Sequence, residues 1–456
     1  MIAAMLSVVD QQGESFLASC ESEIDTRKTM TDLIRPIESE PNQPIPLVET
    51  DIVKIDGQSV NIPVGVVLQL YPSPRVEIEL NTLSNLTRGG DRLEIELRNG
   101  ARLEVLLGAL YFNPEKVILI PVSQPVTVID NDCPLQEVSF AVLDFPQFYG
   151  MQDKWIDDGE QCVRIPNARL ETSEWWIEIT GVPNIREAEK ALKQSRGHGI
   201  TYKGSITCSD GATFLAKDVE PLLEALRFFL SIARGASCSL ALVRGKDEVG
   251  RDSWVRWGAH HSEPWLDYHS AFMRFNSDIL SDLFPKFLSL LESQTARKGA
   301  TLRAFDWYLQ SNVSAPYIGA ILTLAALEGF SYLVLNGQKN KGERTGEFIG
   351  RALSKLQISL DLPENCEGLR SIRKKWVTGP HALADVRNDL IHPRKDLGDV
   401  SNMAYLEAWE LGQWYFELML LSRLGYQGRY RNRLADMKGD EDPLVPVPWA
   451  SDVDSI

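Results

Sequence analysis

The chain is poor in the residues that staple small folds or hold metals. It has six cysteines and six histidines in 456 residues. The cysteines, Cys20, Cys133, Cys162, Cys208, Cys238 and Cys366, are scattered, with no C-x2-C pair. That spacing argues against a zinc ribbon or a disulfide framework and fits a reducing cytosol. No apolar run reaches membrane-spanning length uninterrupted. The longest, Ile318 to Leu335, is broken by Thr323, Glu328, Gly329 and Ser331 and reads as a buried helix. Met1 to Val9 is apolar but short and lacks a basic stretch before it, so a signal peptide is not expected. The P-loop, GxGxxG, G-x-S-x-G and H-E-x-x-H patterns are all missing, which lowers the standing of NTPases, dehydrogenases, common hydrolases and zinc proteases.

What is present is ordinary globular material: 44% hydrophobic and 24% charged residues, enough for two or three domains with substantial cores. The net charge of −16 argues against indiscriminate coating of nucleic acid. The charge is uneven, however. Residues 296–436 carry 19 Lys/Arg against 15 Asp/Glu, a balance of +4, while 1–295 carry 27 against 43, a balance of −16.

The expected architecture is α+β, a β-rich N-terminal region followed by an all-α bundle. Residues 1–60 mix acids and prolines and read as a mobile leader. From Val64 the hydrophobic period becomes two. Leu93, Ile95 and Leu97 alternate with acids, and Asn99-Gly100 supplies a hairpin turn before Leu103, Val105 and Leu107. Many short strands over 61–260 predict an antiparallel sandwich or open barrel, with room for two subdomains. Helices are predicted at Ile185 to Gln194 and Asp218 to Ala233. Residues 261–296 form a helical bridge. Helices at Leu302–Gln310, Pro316–Leu335, Thr345–Ile358, Cys366–Thr378, Pro380–Ile391 and Ser401–Leu424 then build a domain over 297–436. An acidic tail, 437–456, closes the chain.

The stretch Arg387-Asn388-Asp389-Leu390-Ile391-His392 stands out between two apolar helices. Asn388 and His392 lie one turn apart on one helix face, and Arg387 lies beside them. Pro393 disfavours helical geometry at His392 and puts the imidazole at a helix end. One titratable base, one planar cation and one amide suit chemistry on a phosphodiester. His moves a proton near neutral pH, and Arg forks onto non-bridging oxygens. RNA carries its own nucleophile, the 2′-OH, so this inventory calls for no metal, cofactor or protein nucleophile. The bland account is an Arg on helix carbonyls, an Asn at a turn and a surface His.

Arg-Asn followed by four residues ending in His, late in an all-helical domain, resembles the motif of the HEPN ribonuclease superfamily. The resemblance covers about the last third of the chain, including Leu322 to Phe330 with its embedded Glu328. A β-containing region ahead of this domain is similar to the ApeA-type anti-phage proteins. The resemblance implies a homodimer with both motifs facing one cleft, and RNA (tRNA, rRNA or mRNA) cut without metal to a 2′,3′-cyclic phosphate. It also implies a cytoplasmic toxin for abortive infection that answers to a phage-derived trigger. His392 then moves the proton, Arg387 stabilises the transition state, and Asn388 orients His392 or the substrate. The alternative is a non-catalytic dimerisation and RNA- or protein-binding module with a ligand-sensing β region.

Supporting residues divide in the same way. Glu328 either holds Arg387 or pairs with His392, or simply faces solvent. Arg394 and Lys395 directly follow His392, and Arg373 and Lys374 form a basic face upstream, beside Arg370 and Lys375. All are placed to touch an RNA backbone, or only to be solvated. Arg429, Arg431 and Arg433 interleave with Tyr426 and Tyr430. They make either a stacking strip for nucleic acid or, the favoured account, an Arg-rich surface over packed rings. His260, His261, Glu263, Asp267 and His269 match no metal-ligand spacing and read as a surface loop. Of Trp175-Trp176, one ring is expected in the core and one at the surface.

Overall fold

The computed structural model describes residues 40–55, 58–80, 92–97, 101–107, 117–157, 162–272, 277–293, 298–372, 376, 378–392, 400–435 and 444–450. Two β assemblies come first and a helical bundle follows, so the chain is α+β with a β-rich N-terminal half.

The first assembly is a closed antiparallel barrel. Its strands are β1 (Ile45–Ile55), β2 (Gln58–Gln69), β3 (Arg75–Leu80), β4 (Arg92–Glu96), β5 (Arg102–Leu107) and β6 (Val117–Pro121), in the order β1-β2-β3-β6-β5-β4. Alternation drives closure: Val64, Val66, Val76, Ile78, Leu80, Ile95, Val105 and Leu119 all turn inward and are buried. In β4 and β5 the apolar partners Ile95 and Leu103 pair directly, and the Asn99-Gly100 turn lies outside the described residues. Strand β1 starts at Ile45, inside the stretch read as a leader. Its prolines and acids mask the period, and only pairing with β2 and β4 shows it to be a strand. Residues 1–39 lie outside the described residues.

The second assembly is a seven-stranded antiparallel sheet ordered β11-β12-β13-β8-β14-β15-β7. Its members are β7 (Val126–Asp130), β8 (Glu137–Leu143), β11 (Asn167–Glu171), β12 (Trp175–Gly181), β13 (Ile200–Cys208), β14 (Ser239–Lys246) and β15 (Asp252–Trp257). A side hairpin, β9 (Lys154–Asp157) with β10 (Cys162–Ile165), stands apart. Val128, Val255 and Trp257 pack into the barrel's core, so barrel and sheet share apolar contacts. Trp175 is buried and Trp176 exposed, as the alternation requires.

Helix α1 (Ile185–Ser195) crosses between β12 and β13. Helix α2 (Ala216–Arg234) packs on β14. The Asp218 carboxylate accepts the Leu215 N–H at its start, and Gly235 takes the left-handed C-terminal position at φ 83°. The predicted helical bridge is mostly irregular up to residue 272. Among its described residues only α3 (Asp278–Glu292) is helical, and the preceding segment is tied down by side chains instead. Arg234, for example, donates to the carbonyls of Ser237, Glu263 and Pro264.

The bundle comprises α4 (Lys298–Val313), α5 (Pro316–Val334), α6 (Thr345–Lys355), α7 (Glu367–Ser371), α8 (Gly379–Ile391) and α9 (Asn402–Arg423). Helix α5 is apolar and long enough to cross a membrane, but 56% of its most apolar window is buried against α4 and α9. Close approach of α5 and α9 requires two glycines. A Cβ on Gly412 would meet Thr323 Cγ2 at 2.6 Å, and one on Gly319 would meet Trp409 Cδ1 at 2.6 Å. Rings join the bundle to the β module in one chain of contacts, from Phe229 to Phe287 (5.5 Å), Phe305 (5.3 Å) and Phe330 (5.9 Å).

Two predicted boundaries change. Among the described residues, the helix expected over Cys366–Thr378 is only the five residues of α7: Glu407 of α9 caps its first turn by accepting the Gly368 and Leu369 N–H groups, and Ile372 turns extended and ends it. The tail is partly structured: β17 (Leu444–Pro446) pairs with β16 (Arg429–Arg431), and Val447 is buried.

Candidate functional site

Pro380 opens α8, and its apolar face, Ala382, Leu383 and Val386, is buried in the bundle. The opposite end emerges at the surface. The His392 N–H still closes on Asn388 O at 2.8 Å, but His392 itself leaves helical geometry, with φ −130° and ψ 77°. This is the helix end that Pro393 implied. Arg387 and Asn388 are half-buried, and Ile391 and His392 are exposed. The Arg387 guanidinium donates to Asn388 Oδ1 at 3.2 Å, and among the described residues it has no ion pair. A cation held by a neutral amide keeps its charge available to an anion.

Sequence reasoning did not assign the groups beside this end. Tyr405 of α9 donates to Asp389 Oδ2 at 3.1 Å, and burial, then Asp389, pushes its hydroxyl up to about 12. Tyr317 of α5 lies tilted against Tyr405 with centroids 5.0 Å apart and donates to Asn402 Oδ1. Asp389 is thus fixed by an aromatic pair from two other helices. No local spacing could reveal it, since Tyr405 is sixteen residues away and Tyr317 further still.

The other sequence candidates separate. Glu328 is far from idle, but its partner is Lys339 (2.7 Å) in the loop after α5, rather than Arg387 or His392. Helix α5 turns Glu328 toward that loop, where Lys339 also lies over the Phe348 ring. Arg370 donates to the Leu362 and Pro363 carbonyls. Arg373, Lys374, Arg394 and Lys395 lie outside the described residues. In the Arg-Tyr strip Tyr426 and Tyr430 are buried, and Arg433 is buried with them in an ion pair to Glu417 at 2.6 Å. Glu417 and Tyr308 raise the Arg433 pKa against its burial. His261 is exposed and pairs with Glu263 at 2.7 Å.

One unforeseen cluster has the composition of a hydrolase triad but the wiring of a structural knot. Asp144 Oδ2 accepts from Ser262 Oγ (2.8 Å) and bonds His198 Nδ1 (2.7 Å), while Asp144 Oδ1 accepts the Gly199 N–H. In a nucleophilic triad the serine bonds the imidazole, with the acid behind it. Here both partners bond the acid, and all three side chains are buried beyond substrate reach.

Against this geometry, known sequences align with two of the structural units. Residues 130–268, essentially the seven-stranded sheet and its helices, match the model of the YopA central domain. Residues 295–442, the helical bundle with Arg387 and His392, match that of the YopA C-terminal domain. Both matches are to YopA domains. Among the curated relatives is the SPbeta prophage-derived uncharacterized protein YopA of Bacillus subtilis (strain 168), 29% identical over 274 residues. That alignment covers 57% of this chain and 60% of the relative, so the chain spans about 60% of the YopA relative's length. No solved structure matches. The barrel, β1 to β6, lies outside both YopA-domain matches.

Proposed function

We propose that the YopA-like helical bundle is a metal-independent endoribonuclease of HEPN type, acting in the cytoplasm as a toxin in anti-phage defence. The observation that carries the reading is the exposed end of α8. It presents Arg387, Asn388 and His392 together, with the guanidinium held by an amide instead of a carboxylate. In this reading the ribose 2′ oxygen attacks phosphorus and the 5′ oxygen leaves, giving a 2′,3′-cyclic phosphate and a 5′-hydroxyl. His392 transfers the proton and Arg387 stabilises the charge that builds on the non-bridging oxygens.

A single α8 end offers little enclosure, and the reading therefore includes a second copy. Support comes from α5, whose outward face carries Ile318, Leu322, Ala325 and Tyr332 in a helical stripe, with Ile318 and Tyr332 exposed. The stripe begins beside Tyr317, which adjoins the Tyr405–Asp389 pair. The prophage origin of the Bacillus relative fits a role in conflict between phage and host.

The test is cleavage of total cellular RNA by purified protein in EDTA, with analysis of the 3′ ends. His392→Ala and Arg387→Ala should each lower the rate by about two orders of magnitude or more while leaving the far-UV spectrum unchanged. Cleavage that needs a divalent ion, or that persists in both variants, refutes the mechanism. Absence of cleavage by wild-type protein, in the presence of phage lysate as well, favours the non-catalytic binding module.

A further inference from the structure

A second concave site lies where the sheet, α2 and the start of the bundle meet, remote in sequence from the α8 end. It is a cavity of about 490 Å³, within the range of small-molecule pockets. Leu240 and Val243 of β14 line its apolar side, and Arg227 of α2, Arg256 of β15, His260 and Lys298 supply its polar groups.

The two guanidiniums are under-satisfied for their burial. Arg227 is half-buried, its Nε lacks a hydrogen-bond partner, and among the described residues it makes no ion pair. Its guanidinium lies over the Phe228 ring, 4.1 Å from the centroid. The Arg256 side chain keeps 13% exposure, and its nearest carboxylate, Glu220, stands 3.8 Å away, beyond hydrogen-bond length. The cavity's other acid, Glu224, is engaged by Lys298 at 3.2 Å. Burial lowers the pKa of both arginines, and burial with these two cations pushes His260 down to about 4. The imidazole beside them is therefore neutral at physiological pH, a donor or acceptor that adds no repulsion of its own.

A pair of partly desolvated guanidiniums lacking tight counter-ions is the arrangement that recognises phosphate oxygens. We propose that this cavity binds a phosphorylated small molecule of mononucleotide size, with Arg227 and Arg256 on the phosphate and the organic group along Leu240 and Val243. The phosphate displaces Glu220 from Arg256, and His260 hydrogen-bonds the ligand. Because Lys298 begins α4, the occupied cavity contacts both the sheet and the bundle. The proposal is independent of ribonuclease activity.

The experiment is titration calorimetry of the full chain with adenosine 5′-monophosphate, adenosine and inorganic phosphate. Saturable binding of the monophosphate, with adenosine much weaker, is the expected result. Arg227→Gln and Arg256→Gln should each weaken it about tenfold or more, and the surface control Lys286→Gln should not. Thr127→Trp gives a second route, since Thr127 is exposed at the rim opposite Arg256 in the β7–β15 ladder and the indole fills the cavity mouth while both arginines are retained. It should weaken binding even where an arginine variant fails to fold. No saturable binding by wild type up to about 1 mM overturns the proposal. Equal binding of adenosine overturns the phosphate chemistry. Inorganic phosphate binding as tightly as the nucleotide overturns the mononucleotide assignment.

Discussion

Replacing Arg433 with Met should unfasten the bundle from the β module. Arg433 and Glu417 keep only 6% and 2% side-chain exposure and stand 2.6 Å apart. Arg433 also donates to Asn312 Oδ1 at 3.0 Å, and Asn312 Nδ2 in turn donates to the Gly235 and His269 carbonyls, which belong to the β module and its following segment. Without the guanidinium, the Glu417 carboxylate stays buried with the Tyr308 hydroxyl at 2.8 Å and the His269 ring at 3.8 Å. Removing one member of a buried, hydrogen-bonded pair costs about 3–5 kcal/mol, because the remaining charge stays desolvated. Arg429, four residues earlier, is exposed and donates only to the Leu444 carbonyl, so Arg429→Gln should cost about 0.5 kcal/mol or less. Urea unfolding followed by tryptophan fluorescence and circular dichroism reads both. The double variant Arg433→Met with Glu417→Gln should lose less than the sum of its single changes, since the orphaned charge is gone. Equal losses for Arg433→Met and Arg429→Gln, within about 0.5 kcal/mol, would refute the reasoning and return Arg433 to the surface strip.

Two further outcomes accompany the RNA-cleavage and nucleotide-titration tests. Ile318→Glu places a charge in the outward stripe of α5. If a second copy covers that stripe, the variant should sediment as monomer where wild type sediments as dimer, and an unchanged mass would remove α5 from the interface. His260 titrates at about 4 in the folded chain against about 6.5 unfolded. The folded state then binds fewer protons than the unfolded state between those values. Its stabilising contribution is full above about pH 6.5 and is lost as pH falls toward 4. Urea midpoints at pH 7 and pH 5 should therefore fall more in wild type than in His260→Gln, and parallel falls would contradict the burial of the neutral ring beside Arg227 and Arg256.

Much of the fold was legible because period and punctuation are local. The alternation of Leu93, Ile95 and Leu97 gave a strand with no partner in view. Asp218 and Gly235 bounded α2 to within a few residues. Errors fell where a distant group overrides local preference. The helical pattern over 366–378 breaks at Ile372, which turns extended, while Glu407 of α9 anchors the start of α7. Strand β1 was hidden because its prolines and acids look like a leader until β2 and β4 flank it.

The candidate sites divide along the same line. Spacing alone put Asn388 and His392 on one turn and His392 at a helix end, since both follow from helical pitch and from Pro393. It could not say which carboxylate Lys339 would take, and the pairing of Glu328 was decided by how the loop after α5 folds back. Nor could it separate Arg433, interred against Glu417, from Arg429 at the surface, because the two differ in tertiary surroundings and hardly in residue context. The cavity of Arg227, Arg256 and His260 was beyond sequence altogether. Its members come from a helix, a strand and a loop, and only the packing of α2 across the sheet brings their charges together. Local pattern determined which elements form and where they end; the tertiary structure alone decided which charges are neutralised and which are left for a ligand, since charges are paired by distance in space.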